Sequence, residues 1–108
     1  MPAQVDTQCE AFQTAIKVLA RPWTAVILSL LQRGPLRFSE FSEHSPGLGD
    51  KVLSARLKDL EARGVLVRNV DPGPPVRVSY ELTPQGEAFN QVALAIERWG
   101  NKLVPDPE

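Results

Sequence analysis

The chain has 108 residues, 43% of them apolar, and 12 Lys and Arg stand against 13 Asp and Glu for a net charge of −1. Length and composition fit one soluble domain spanning residues 1–108. They exclude a membrane span of roughly 20 apolar residues and a basic-then-apolar signal segment, so the expectation is a cytoplasmic protein with no membrane partner.

Cys9 and His44 are the only cysteine and histidine, which excludes an internal disulfide framework, a cysteine-built zinc site and a two-histidine metal motif. No metal and no cofactor are expected. The near-neutral charge weighs weakly against a nucleic-acid partner, because contact depends on where the positive groups sit.

Met1 to Gln8 is polar and reads as a short arm. Phe12, Ala15, Ile16 and Leu19 recur at helical spacing, predicting a first helix of about ten residues with Cys9 just before it. Pro22 suits the first turn of a second helix. Trp23, Val26, Ile27, Leu30 and Leu31 give that helix a core stripe, and Gly34-Pro35 ends it. Leu36-Arg37-Phe38 is a brief extended piece, after which Ser39 is expected to cap a short third helix through Glu40, Phe41 and Glu43. His44 falls at the surface end of that helix, and Ser45-Pro46-Gly47 is a turn.

The stretch Leu48 to Gly64 carries the most information. Leu53, Leu57 and Leu60 share one face of a helix, while Lys51, Ser54, Ala55 and Lys58 lie on the other, a small, polar and basic face. Gly49 or Asp50 opens the helix and Gly64 closes it. A short helix, a tight turn and a helix with one free polar face make a helix-turn-helix. Val65 to Val70 and then Val76, Val78, Tyr80 and Leu82 read as two strands. The stiff loop Asp71-Pro72-Gly73-Pro74-Pro75 joins them, so strand, loop and strand form a wing. Thr83-Pro84 opens a last helix. In that helix Phe89, Val92, Ile96, Trp99 and Leu103 step by three and four, a seam too long for one small core and suited to self-association. Pro105 to Glu108 is a tail.

The fold class read from this order is α+β, mainly α: a winged helix-turn-helix over residues 36–82 with extra helices at 9–20 and 84–103. The ordered set Gly34-Pro35-Leu36-Arg37-Phe38-Ser39-Glu40-Phe41, Pro46-Gly47-Leu48, Lys51, Leu53, Arg56-Leu57, Leu60-Glu61, Gly64, Pro75, Val78, Tyr80, Leu82-Thr83 and Gly86 resembles the HxlR-type (MarR-like) winged helix-turn-helix regulators. The resemblance covers about residues 9 to 100. It implies a homodimeric DNA-binding regulator, usually a repressor, with the first and last helices as the dimer interface; here those would be Phe12, Ile16, Phe89, Val92, Ile96, Trp99 and Leu103. It also implies a cysteine at the position of Cys9 that in some members senses an electrophile or oxidant. Gly49, where a capping residue is usual, and the lack of a proline soon after Cys9 depart from the family pattern.

Lys51, Ser54, Ala55 and Lys58 are the residues expected to enter the major groove of double-stranded DNA at a pseudo-palindromic operator. Arg56, nearer the buried stripe, is expected to reach a phosphate or an acidic neighbour. Arg77, placed at the wing base, is the candidate for a minor-groove or backbone contact, followed by Arg37 and Ser39. Cys9 has two readings of equal standing, a reactive thiol or an inert interface residue. No nucleophile–base pair or phosphate loop is present, so no enzyme is expected. Two alternatives stay open: a winged-helix module for protein–protein contact, and a regulator that answers to a small ligand rather than through its thiol.

Overall fold

The computed structural model describes residues 4–106, so Met1–Ala3 of the expected arm and Pro107–Glu108 of the tail lie outside it. Helix α1 (Glu10–Ala20) starts at Cys9, whose Sγ accepts the Phe12 N–H at 3.4 Å and so satisfies one of the free donors of the first turn. The chain then turns through Arg21, Pro22 and Trp23 into α2 (Thr24–Leu31), and the two helices meet at 89°. Pro22 therefore lies outside α2, not in its first turn. Instead Trp23 is the N-cap, with a left-handed φ of 71°, a conformation that costs a non-glycine residue roughly 1–2 kcal/mol. Its half-buried ring, packed on the core, holds it there.

Strand β1 (Leu36–Arg37) leads directly into α3 (Phe38–His44). The third helix begins before Ser39, which sits inside its first turn instead of capping it. Pairing of Leu36 with Tyr80 and Arg37 with Ser79 keeps the approach extended, and the Glu40 carboxylate accepts the Arg37 N–H at 2.8 Å. Those two contacts fix the start at Arg37. Helix α4 (Asp50–Ala62) follows the 45–49 turn, with Gly49 as N-cap and Gly64, at φ 76°, just past its end.

Strands β2 (Leu66–Asp71) and β3 (Arg77–Leu82) pair antiparallel, and the sheet order is β1-β3-β2. Val65 is excluded from β2 because its N–H is held by the Leu60 carbonyl at 3.0 Å in the closing turn of α4, although its own carbonyl accepts the Thr83 N–H at 3.1 Å. Val76 stays in the loop behind two prolines and is 66% exposed. The expected in–out alternation of β3 is blurred, with Val78 to Leu82 all half-buried, because β3 is the central strand.

The expected single helix over 84–103 divides into α5 (Pro84–Glu87) and α6 (Phe89–Leu103). Thr83 caps α5 as anticipated, its Oγ1 accepting the Gly86 N–H at 3.2 Å and donating to the Gly64 carbonyl at 2.6 Å. Gly86 packs so closely that a Cβ there would collide with the Val65 carbonyl. This clamp sets α5 by contacts that α6 does not share.

The core comprises Ile27, Leu28, Leu31, Phe41, Leu48, Leu53, Leu57, Leu60 and Leu66, closed by an edge-to-face contact of Phe41 with Tyr80 at 6.3 Å. It is drawn from α2, α3, α4, β2 and the turn between α3 and α4, with no buried residue in α1 or α6. The radius of gyration, 16.1 Å, exceeds the about 13 Å of a compact 100-residue domain, because the outer elements project from this small centre.

Candidate nucleic-acid interface

The helix-turn-helix is held from beneath. Leu48, in the turn between α3 and α4, is buried at 3% exposure, and its carbonyl accepts the Ser42 hydroxyl at 3.4 Å. Gly47 turns the chain at φ 102°, where a side chain would be strained. With the turn pinned, Leu53, Leu57 and Leu60 (0%, 2% and 1% exposed) seat α4 on the core. Lys51, Ala55 and Lys58 are left exposed on the opposite face, and Ser54 is half-buried beside them. The four groove residues expected from the sequence are thus brought together. Asp59 bonds with Arg63 at 3.2 Å and Arg21 at 3.5 Å, which offsets its charge on one flank of α4. Asp50 and Glu61 stand exposed towards the two ends of the helix, so the positive charge of the free face is concentrated at Lys51 and Lys58.

Arg77 is not at the wing base. It opens β3 opposite Asp71, at the loop end of the ribbon, while Leu66 and Leu82 form the end next to the core. Arg37 lies opposite Ser79, two residues further along the same strand, and strand alternation puts Arg37 and Arg77 on one face. They line a shallow hollow of about 380 Å³ with Glu40, Asn69, Asp71 and Ser79. Ser39 is exposed in the first turn of α3. Arg56 makes a contact that its spacing did not foretell: its Nε donates to the Pro22 carbonyl at 2.8 Å. Arg68 carries no assignment from the sequence. It is exposed and, opposite Tyr80, lies on the sheet face that packs against the core; the two-residue period of β2, which groups it with Leu66 and Val70, was the available signal.

Between α1 and the start of α6 runs an open apolar groove of about 870 Å³, lined by Ala15, Val18, Leu19, Phe89 and Val92 among others. Ile16, Val92, Ile96, Trp99 and Leu103 are exposed, whereas Phe12 and Phe89 are half-buried. Among the described residues no group of three or more His, Cys, Asp or Glu could hold a metal ion, and no single helix is long and apolar enough to cross a membrane.

The model of the HxlR-like helix-turn-helix family matches residues 18–107. The chain belongs to this HxlR-like family. It is 40% identical to the HTH-type transcriptional regulator YvaP of Bacillus subtilis over 92% of this chain and 91% of that one. To the HTH-type transcriptional regulator YodB of the same organism it is 35% identical, over 91% and 88%. The reduced form of YodB superimposes with a TM-score of 0.86 at 33% identity, covering 94% of this chain and 99% of that chain. YodB has also been solved treated with diamide and bound to quinone. Membership in the HxlR-like family makes the chain a DNA-binding transcriptional regulator of helix-turn-helix type, not an enzyme.

Proposed function

We propose that the chain is a homodimeric, sequence-specific repressor, one winged unit per subunit, in which α4 enters the major groove of a pseudo-palindromic operator. The observation that carries this reading is the division of α4 into a fully buried leucine face and an exposed basic face. Lys51 and Lys58 contact phosphates or base edges, and Ser54 and Ala55 sort bases, the Ala55 methyl meeting a thymine methyl. Arg37, Ser39 and Arg77 hold the flanking backbone. The exposed seam of α6 and Ile16 of α1 meet the same surfaces of a second copy, setting two recognition helices about 34 Å apart, one turn of DNA.

The test is a salt titration of DNA affinity. Lys58→Ala weakens binding to every duplex and lowers the log–log salt slope by about one, while changes at Ser54 and Ala55 alter which duplex is preferred. If Lys51→Ala, Ser54→Ala and Arg77→Ala all leave affinity intact, another surface binds DNA and the groove assignment is lost.

Regulation in this reading runs through Cys9, and its support is the placement of that thiol. Cys9 sits at the N-terminus of a helix that carries dimer residues, with Sγ facing the Phe12 N–H. A relative of the same architecture has been solved in diamide-treated and quinone-bound forms. With one cysteine per chain, oxidation links two subunits or captures a small thiol, and a quinone alkylates the sulfur. The parent loses DNA binding on treatment with diamide or quinone, and Cys9→Ser does not. A serine variant that responds as the parent does makes Cys9 structural and turns attention to a ligand between α1 and α6.

A further inference from the structure

One flank of α4 runs between the leucine face and the groove face. Val52, Arg56, Asp59 and the C-cap Arg63 follow one another along it at intervals of four, three and four residues, a single stripe whose first member, Val52, packs against the core. This stripe meets the elbow where α1 turns into α2. Arg56 Nε donates to the Pro22 carbonyl at 2.8 Å, and Asp59 meets Arg21 at 3.5 Å. The elbow also touches the helix-turn-helix at a second place, since the outer edge of the Trp23 ring lies 3.8 Å from where a Cβ of Gly47 would stand. Trp23 is the one non-glycine residue at positive φ among those described. A carbonyl presented by so constrained a turn is a fixed point, and Arg56 is bonded to it across 34 positions of sequence.

We propose that Arg56 is a positioning residue for DNA recognition: by bonding the Pro22 carbonyl it fastens α4 to the α1–α2 elbow and fixes the angle at which the groove face is presented. This rests on the reading of α4 as the recognition helix. The Arg21–Asp59 pair is weaker support, because both side chains are partly exposed and water screens them. The short bond from Nε does the fastening, and it uses the one guanidinium nitrogen that lies within the side chain instead of at its tip. The same connection makes the elbow the mechanical link between α1, which carries Cys9, and the helix that reads DNA. A displacement of α1 therefore reaches α4 without any change in a DNA contact.

The location of the donor gives a clean test. Glutamine carries its Nε2 at the same number of bonds from the backbone as arginine carries Nε, so Arg56→Gln keeps the donor and removes the charge. Arg56→Met keeps the length and removes both. The probes are a duplex selected by the parent chain from a random-sequence pool and an unselected random duplex, each titrated with salt. Arg56→Gln holds the selected duplex within about twofold of the parent, and Arg56→Met loses up to roughly tenfold on it, the worth of one hydrogen bond. Both keep the parent's salt slope and its affinity for random DNA, which separates a positioning role from general loss of fold. A slope lower by about one in both variants means that Arg56 holds a phosphate and overturns the proposal. So does a tenfold loss in Arg56→Gln, a result that stands even where Arg56→Met fails to fold. If the parent selects no sequence at all, the reading of α4 falls first and the positioning role falls with it.

Discussion

Leu53, Leu57 and Leu60 on α4 and Ile96, Trp99 and Leu103 on α6 repeat the same spacing of three and four, with opposite outcomes. The first set is 0–2% exposed and the second 48–64%. Periodicity states which side chains share a face and is silent about what covers it. On α4 the cover is α2, α3 and β2, supplied by the same chain. On α6 only Phe89, at its start, packs against the core, and among the described residues none covers the strip beyond it; so broad an apolar strip calls for a second molecule. One helix is therefore held by folding, and in the proposed dimer the other is held by association, so the two are expected to respond to different variables.

The largest expected effect breaks the α4 side of this contrast. Leu53→Ala empties a site that is 0% exposed and costs about 2–5 kcal/mol. In denaturant unfolding the loss is the same at every protein concentration. Trp99→Ala acts on the other side. It weakens the dimer by about 2 kcal/mol, the scale of an aromatic anchor at an interface, and sedimentation reads this as a concentration-dependent shift to monomer. A parent that already sediments as a monomer at micromolar concentration removes the contrast altogether.

Two glycines sharpen it further. Gly86→Ala forces a methyl against the Val65 carbonyl and the Leu82 side chain and costs about 1–3 kcal/mol, visible as a lower melting temperature. Gly100, in the last turn of α6, has nothing within 4 Å of an added Cβ. Gly100→Ala therefore stabilises the helix by about 0.5–1 kcal/mol, the smallest change of the four. If instead it lowers dimer affinity, the helix face carrying Gly100 is packed against the partner, and the seam is located.

What could be read beforehand follows the range of the forces involved. The burial of Leu53, Leu57 and Leu60, the Thr83 cap, the Gly64 stop and the proline-rich wing loop are all specified within a few residues of where they act, and the sequence carried them. The left-handed Trp23, the start of α3 at Arg37 and the break at Ala88 depend on partners far along the chain: the core, strand β3 and the Val65 carbonyl. Arg77 stands at the loop end of the wing and not at its base, a placement hidden in the sequence because a strand pattern gives no register until its partner is aligned. The bond of Arg56 to Pro22 was the least accessible, since a backbone carbonyl has no signature in a sequence.

Strand β2 forms one border of the sheet, with a single neighbour, β3. A border strand carries a row of open donors and acceptors that another chain can extend, and exposed Val67 and Val70 add apolar surface to the invitation. Here Arg68, Asn69 and Asp71 occupy that border, and Pro72, Pro74 and Pro75 follow it, three positions with no N–H to offer. The opposite border, β1, is two residues long, too short to template anything. Growth by strand addition is disfavoured at both sides of the sheet. In the proposed dimer the helical seam is the surface through which copies meet, and because a self-complementary seam is satisfied by one partner, that assembly would end in a finite particle rather than a fibre.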